Sequence, residues 1–232
     1  KKNRTFVFAS ELNAINESVA ELKIDDKEIY SYIRNGFFYG NKTPFENTYE
    51  VAPGCVLSIS IDNLNLTNKR YFDPFRYYKK EKINDLDSAL SLVDQSLRKS
   101  VESRLLSSDL EVGAFLSGGI DSSLIVAIAS EYVNSLKTFT VKFDNVFDES
   151  ELAKLTAKKY GTSHTEISIS MKLKEDVEKI LTGYGEPFMD SSAIPSYYVS
   201  QAAKKHVSVI LNGDGADELF GGYRRYVPIA NN

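Results

Sequence analysis

Apolar residues at Leu86, Leu90, Val93, Leu97, Val101 and Leu105 recur at spacings of three and four, the period that places them on one face of a helix. The stripe predicts an amphipathic helix that opens at Leu86 and docks on a core. EVGAFLS, Glu111 to Ser117, then reads as a buried strand, Ser122 to about Asn134 as a helix, and KTFTVKF, Lys137 to Phe143, as a second strand. A helix from about Glu149 to Tyr160 follows, closed by Gly161, where a left-handed C-cap glycine is expected. His164 to Ile169 is a third strand. Two more helical stretches lead to VSVILNG, Val207 to Gly213, a β-branched run long enough for a central strand. Strands joined by helices in this way predict an α/β fold, a parallel sheet with flanking helices and right-handed crossovers, and chemistry at the C-terminal edge of the strands.

The texture differs before about residue 75. Short alternating or aromatic runs, TFVFAS (Thr5 to Ser10) and CVLSISI (Cys55 to Ile61), are punctuated by Pro44, Pro53-Gly54 and Asn/Asp clusters, as in an antiparallel sheet. YFDPFRYYKKEKIND, Tyr71 to Asp85, is charged, contains Pro74 and follows neither period, so it reads as a linker. The expected organisation is therefore 1–70, an α+β antiparallel remnant; 71–85, a linker; and 86–232, a parallel α/β domain.

Composition narrows the function classes. With 42% hydrophobic residues in 232, the chain has enough apolar side chains for a sizeable core. A net charge of −4 argues against nucleic acid or an anionic membrane as the main partner, since both reward a basic surface. Phosphate binding must then be local. One cysteine forms no internal disulfide, and with two histidines it falls short of the usual zinc sets. No apolar run approaches the roughly 20 residues that span a bilayer, and KKNRTFVFAS carries no leader pattern, so a cytoplasmic location is expected. The chain opens on Lys1 and stops at Asn232 soon after a Gly-Gly-Tyr turn, which reads as a cut at both ends.

LSGGIDSS, Leu116 to Ser123, lies between a buried strand and a helix. Gly118 and Gly119 let the backbone turn tightly and approach a ligand, and the helix amides with Ser117 and Ser122 offer donors to phosphate oxygens. Asp121 would repel phosphate directly, a conflict that a bridging magnesium ion resolves. A serine-capped turn alone would not demand the whole set. The lysine of a G-x-x-x-x-G-K-[ST] loop is absent, as is a G-x-S-x-G elbow around Ser117. LNGDGADELFGGYRRY, Leu211 to Tyr226, again follows an apolar strand and puts Asp214, Asp217 and Glu218 within five residues. Carboxylates clustered at a strand end repel one another and call for a divalent cation or a cationic substrate group.

Ser-Gly-Gly-x-Asp-Ser after a strand, followed about ninety residues later by Gly-x-Gly-x-Asp-Glu-x-x-x-Gly-Tyr, resembles the synthetase domain of glutamine-dependent asparagine synthetases and the related β-lactam synthetases. DESELAKLTAKKYGTSHTEI and EPFMDSSAIPSYYVSQAAKK resemble the family's text between the motifs. FASELNAI and APGCVLSI resemble the close of its N-terminal glutaminase domain. The resemblance implies an adenine nucleotide alpha-hydrolase-like ATP-pyrophosphatase fold. It places ATP against Leu116, Ser117, Gly118, Gly119, Asp121, Ser122, Val141, Asn212 and Gly213, and magnesium on Asp121 and Asp217. It gives catalytic roles to Asp214, Asp217 and Glu218, and substrate contacts to Glu186 and Asp190. Leu116 and Val141 would serve equally as plain core.

The reaction implied is attack of a substrate carboxylate on the α-phosphorus of ATP, release of pyrophosphate, and conversion of the acyl-adenylate to an amide by ammonia from glutamine. The partners implied are small molecules, with a homodimer left open. The family's glutaminase nucleophile is the cysteine of the mature N-terminus. Cys55, in an apolar run without a nearby histidine, reads as a structural thiol, and no glutamine hydrolysis is expected of these 232 residues. His164 reads as a satisfied surface histidine, while Arg224 and Arg225 are either acid contacts or solvated turn residues. Asparagine synthetases usually carry glutamate where Asp214 stands and often serine where Asn212 stands. Both aspartate and another carboxylic acid, such as a sugar acid or a peptide-like metabolite, therefore remain open as substrate, as does a relative that has lost turnover.

Overall fold

The computed structural model of the chain describes residues 5–18, 22–80, 82–143, 150–170 and 172–230. In chain order the elements are α1 (Leu12–Ser18), α2 (Asp26–Asn35), β1 (Cys55–Ile59), β2 (Leu66–Arg70), α3 (Phe75–Tyr78), α4 (Leu86–Leu106), β3 (Val112–Phe115), α5 (Ile120–Tyr132), β4 (Lys137–Phe143), α6 (Ser150–Tyr160), β5 (Ser163–Ile169), α7 (Leu173–Tyr184), α8 (Ala193–Ala203), β6 (Val209–Leu211), α9 (Ala216–Phe220), a 3-10 turn (Arg224–Tyr226) and α10 (Val227–Ala230). They form two compact units, one of 1–82 with 172–195 and one of 83–171 with 196–232. The sequence reading carries 86–232 as one continuous stretch.

In the first unit β1 and β2 form an antiparallel pair, Cys55 opposite Arg70 and Ile59 opposite Leu66. The expected strand at TFVFAS does not form. Residues 5–10 find no ladder partner among the described residues, Phe8 is 82% exposed, and extended backbone without a partner gains nothing over coil. Pro74 with Asp73 starts a short helix, α3, inside the stretch read as a linker. Asp73 accepts the Phe75 amide at 3.1 Å, and proline's fixed φ suits the start of a helical turn.

The second unit is an α/β layer: a parallel four-stranded sheet in the order β5-β4-β3-β6 with helices packed against it. Its core gathers Leu116, Val126, Ile128, Ala129 and Leu136 with Ala153 and Ala157 of α6. Gly161 has φ +65° and ends α6, as its position predicts; Glu149 lies outside the described residues. α4 runs over the predicted residues, but its stripe docks only in the C-terminal half. Val101 is buried and Leu97 and Leu105 pack on the core, whereas Leu86 is 71% and Leu90 58% exposed.

VSVILNG proves to be a three-residue edge strand rather than a long central one. The Val207 amide bonds back to the Ala203 carbonyl at 3.1 Å, finishing the end of α8, and the chain turns out of the ladder after Leu211. Among the described residues no helix is long and apolar enough to cross a membrane.

Candidate functional site

β3 and β6 are parallel neighbours, with Val112 opposite Val209 and Ala114 opposite Leu211. Their C-terminal ends leave the sheet side by side, so the two glycine-rich loops read from the sequence emerge at one edge. The contact is close. A Cβ on Gly213 would sit 3.0 Å from Asp121 Cβ and 3.2 Å from the Ser122 nitrogen, so only glycine lets the second loop lie on the first turn of α5.

The first loop is tied internally. The Leu116 amide still pairs with the Phe139 carbonyl at 2.9 Å, while the Leu116 carbonyl accepts a hydrogen bond from the Thr140 hydroxyl. Gly118 takes φ +83°, a left-handed conformation that carries the chain from strand to helix. Gly119 caps α5 without a side-chain hydrogen bond, leaving the first-turn amides and the positive end of the helix dipole open to an anion.

Ser122 is 8% exposed and works inward. Its hydroxyl accepts the Ser117 amide at 3.1 Å, lies 3.0 Å from the Ser117 hydroxyl and donates to the Gly119 carbonyl at 3.2 Å. Ser122→Ala is expected to lower stability by about 1–3 kcal/mol, the cost of leaving buried partners unsatisfied, read as a lower urea midpoint at unchanged slope. An unaltered midpoint would show that the hydroxyl is dispensable.

In the second loop the Asn212 amide donates to Asp214 Oδ2 at 2.7 Å. Asp217 and Glu218 occupy the first turn of α9. Glu218 accepts the Tyr223 hydroxyl at 2.6 Å, and the Asp217 carboxylate fills the space that a side chain on Gly222 would take. Asp121, by contrast, has no hydrogen-bond or ion-pair partner among the described residues.

Two cavities meet this edge. One, of about 430 Å³, has Arg104, Asp121, Asn212 and Asp214 among its polar lining residues, with Leu97, Leu124, Leu219 and Phe220 among the apolar ones. The other, of about 220 Å³, lies where β3 ends beside the middle of β4 and has Leu116, Ser117, Phe139, Thr140, Val141 and Val199 among its lining residues. The structure thus brings Leu116, Ser117 and Val141 to one cavity, and Asp121, Asn212, Gly213 and Asp214 to the other. No group of three or more His, Cys, Asp or Glu side chains disposed to hold a metal occurs among the described residues.

Sequence reasoning missed Thr140, Arg104 and Tyr223. A threonine in a strand carries no signal of its own, but the hydroxyl of Tyr223, five residues after Glu218, was within reach of a local argument. Arg224 is exposed on the 3-10 turn, and His164 is half-buried with Nδ1 3.0 Å from the Thr138 hydroxyl.

Glu186 and Asp190 belong to the first unit. Asp190 accepts the Ser192 amide at 2.8 Å, which holds its pKa below the ordinary range. Burial first, and then the like charge of Glu50, push Glu186 up, and its Oε2 is buried with no hydrogen-bond partner among the described residues. In the window above the ordinary glutamate range the folded state therefore holds a proton that the unfolded chain has released. This contribution to stability is full at low pH and is lost as pH rises through the raised value. Glu186→Gln is expected to raise the urea midpoint at pH 7.5 relative to the native chain and to leave it nearly level at pH 4; equal shifts at both would exclude the effect.

The asparagine synthase family matches residues 92–232, a stretch that contains both loops. The chain belongs to that family. It is 37% identical over 227 residues to asparagine synthetase [glutamine-hydrolyzing] 1 of Bacillus subtilis, covering 97% of this chain and 35% of the relative. Against a putative asparagine synthetase [glutamine-hydrolyzing] 2 of Methanocaldococcus jannaschii it is 32% identical over 231 residues, covering 96% and 44%. The chain therefore spans less than half the length of these family members. It is also similar to a solved glutamine-dependent NAD+ synthetase of Acinetobacter baumannii in complex with ADP, with TM-score 0.43 and 20% identity over 72% of this chain and 31% of that one.

Proposed function

We propose that the chain carries the ATP-binding core of an ATP-dependent amide-forming ligase, of the asparagine synthase (glutamine-hydrolysing) type, which activates the side-chain carboxylate of aspartate. The observation that carries this reading is the seating of Gly213 on Asp121, which joins two loops of the family's matched region at one sheet edge. In this reading ATP lies along Leu116, Ser117, Gly118, Gly119, Asp121 and Ser122, with its base toward Val141 and with Asn212 and Gly213 closing over it. Residues 1–70 are the end of a glutaminase domain that supplies ammonia, 71–85 the linker, and the enzyme works in the cytoplasm.

Magnesium is commonly held by one or two carboxylates together with substrate phosphates, and Asp121, a hard oxygen ligand whose carboxylate has no partner among the described residues, lines the cavity that Asp214 of the adjoining loop also lines. Asp121 and Asp217 would hold the ion, which supplies charge neutralisation to the departing pyrophosphate. The open amides of α5 orient the phosphates, and the stiff Ser117–Ser122 knot keeps them in place without reorganisation. Glu218, engaged by Tyr223, holds the shape of the acidic loop.

Asp214 favours a second reading, an amidotransferase of the same type acting on another carboxylic acid, because it is one methylene shorter than the family's usual glutamate and its carboxylate accepts the Asn212 amide. ATP–pyrophosphate exchange by the intact enzyme separates the two. Exchange supported by aspartate is expected; exchange with a sugar acid or a peptide-like acid alone selects the second reading. Absence of exchange with every acid, together with calorimetry showing no magnesium-dependent ATP binding, would reject both.

A further inference from the structure

We propose that Thr140 is the positioning residue of the phosphate loop, pinning the carbonyl of Leu116 where β3 leaves the sheet. The proposal rests on the reading of this loop as the ATP site. β3 and β4 pair regularly through Phe115 opposite Phe139, and the Leu116 amide adds one more bond to the Phe139 carbonyl at 2.9 Å. β3 then ends. Leu116 is 0% exposed, so its carbonyl has no water to turn to, and a buried carbonyl without a donor is costly. Thr140, 4% exposed, donates its hydroxyl to it from β4. A β-branched side chain in a strand has few χ1 choices, which fixes where that hydroxyl stands.

The consequence passes through one rigid unit. The Leu116 carbonyl and the Ser117 amide belong to the same planar peptide group. Thr140 holds the plane at its oxygen, and Ser122 holds it at its N–H, 3.1 Å away. With that plane fixed, Gly118 turns left-handed and Gly119 begins α5 in a set direction. The open amides are therefore aimed by a residue outside the loop.

Thr140→Val keeps the shape and removes the hydroxyl, Thr140→Ser restores it, and Thr138→Val is the control. Thr138 is a buried threonine of the same strand whose hydroxyl instead meets Thr162 at 2.8 Å. In the full-length protein, Thr140→Val is expected to speed amide hydrogen exchange about tenfold without nucleotide at Ser117 and Gly119, whose amides are hydrogen-bonded within the loop, and to weaken calorimetric Mg-ATP binding about tenfold, the size of one buried hydrogen bond. Thr140→Ser should stay close to the native protein in both. Thr138→Val should lower the melting temperature without singling out the loop.

Native loop exchange and native affinity in Thr140→Val would overturn the proposal, as would equal changes in Thr138→Val. If Thr140→Val does not fold, the native protein decides: a Thr140 hydroxyl proton exchanging as fast as those of exposed threonines also overturns it. Faster loop exchange in Thr140→Val, combined with a native protein that binds no ATP, would keep the positioning role and reject the ligase reading.

Discussion

Asp121→Asn is expected to lower acid-dependent ATP–pyrophosphate exchange by the full-length enzyme at least about 100-fold, the scale of losing one preorganised electrostatic element. The substitution conserves volume and removes only charge. Asp121 has no partner among the described residues, so no internal contact is broken and the fold should stay close to native stability. An acid in the first turn of a helix contributes only about 0.3–1 kcal/mol. Loss of exchange with an unchanged melting temperature would locate the defect in the chemistry. Undiminished exchange would remove Asp121 from the site.

Gly213→Val should do comparable damage by a different route. Even a bare Cβ meets Asp121 Cβ at 3.0 Å, the Ser122 nitrogen at 3.2 Å and the Asp121 carbonyl carbon at 3.3 Å, and the last two are backbone atoms with nowhere to go. The second loop must lift from α5, and a displacement of about 1 Å between reacting groups can cost about 100-fold in rate. Gly183→Ala is the matched control. Gly183 lies near the end of α7 with nothing within 4 Å of an added Cβ, so alanine there should leave exchange intact and raise stability by up to about 1 kcal/mol. Normal exchange by Gly213→Val would mean that the seating of one loop on the other plays no part in turnover.

What the sequence made legible was the part governed by local periodicity. The run from Leu86 predicts the whole of α4, and KTFTVKF predicts β4 to the residue, because each pattern repeats over enough positions to outweigh its neighbours. Which half of α4 finds a core is a tertiary matter. Leu90 and Leu97 look alike in the sequence, yet one is exposed and the other packs beside Val101. β6 was overread because the β-branched run includes Val207, which the end of α8 claims first.

The glycine loops were visible as motifs, since turns and anion-binding backbones demand residue types that chance seldom assembles. Their mutual contact was not visible: the 92-residue separation of Asp121 and Gly213 says nothing of adjacency until β3 and β6 pair. Thr140 escaped for the same reason, because its task exists only where β3 stops one residue short of it.

The left-handed bend at Gly118 sets a rule of handedness that no change elsewhere in the chain can relax. Gly213 is confined by the atoms that surround it, whereas Gly118 is confined by its own backbone, with φ +83°. An L-alanine introduced there by chemical ligation should strain the turn, while its mirror image, D-alanine, relaxes at positive φ and should pass as native. The protein would then accept an amino acid of the wrong chirality at a position that strains the right one.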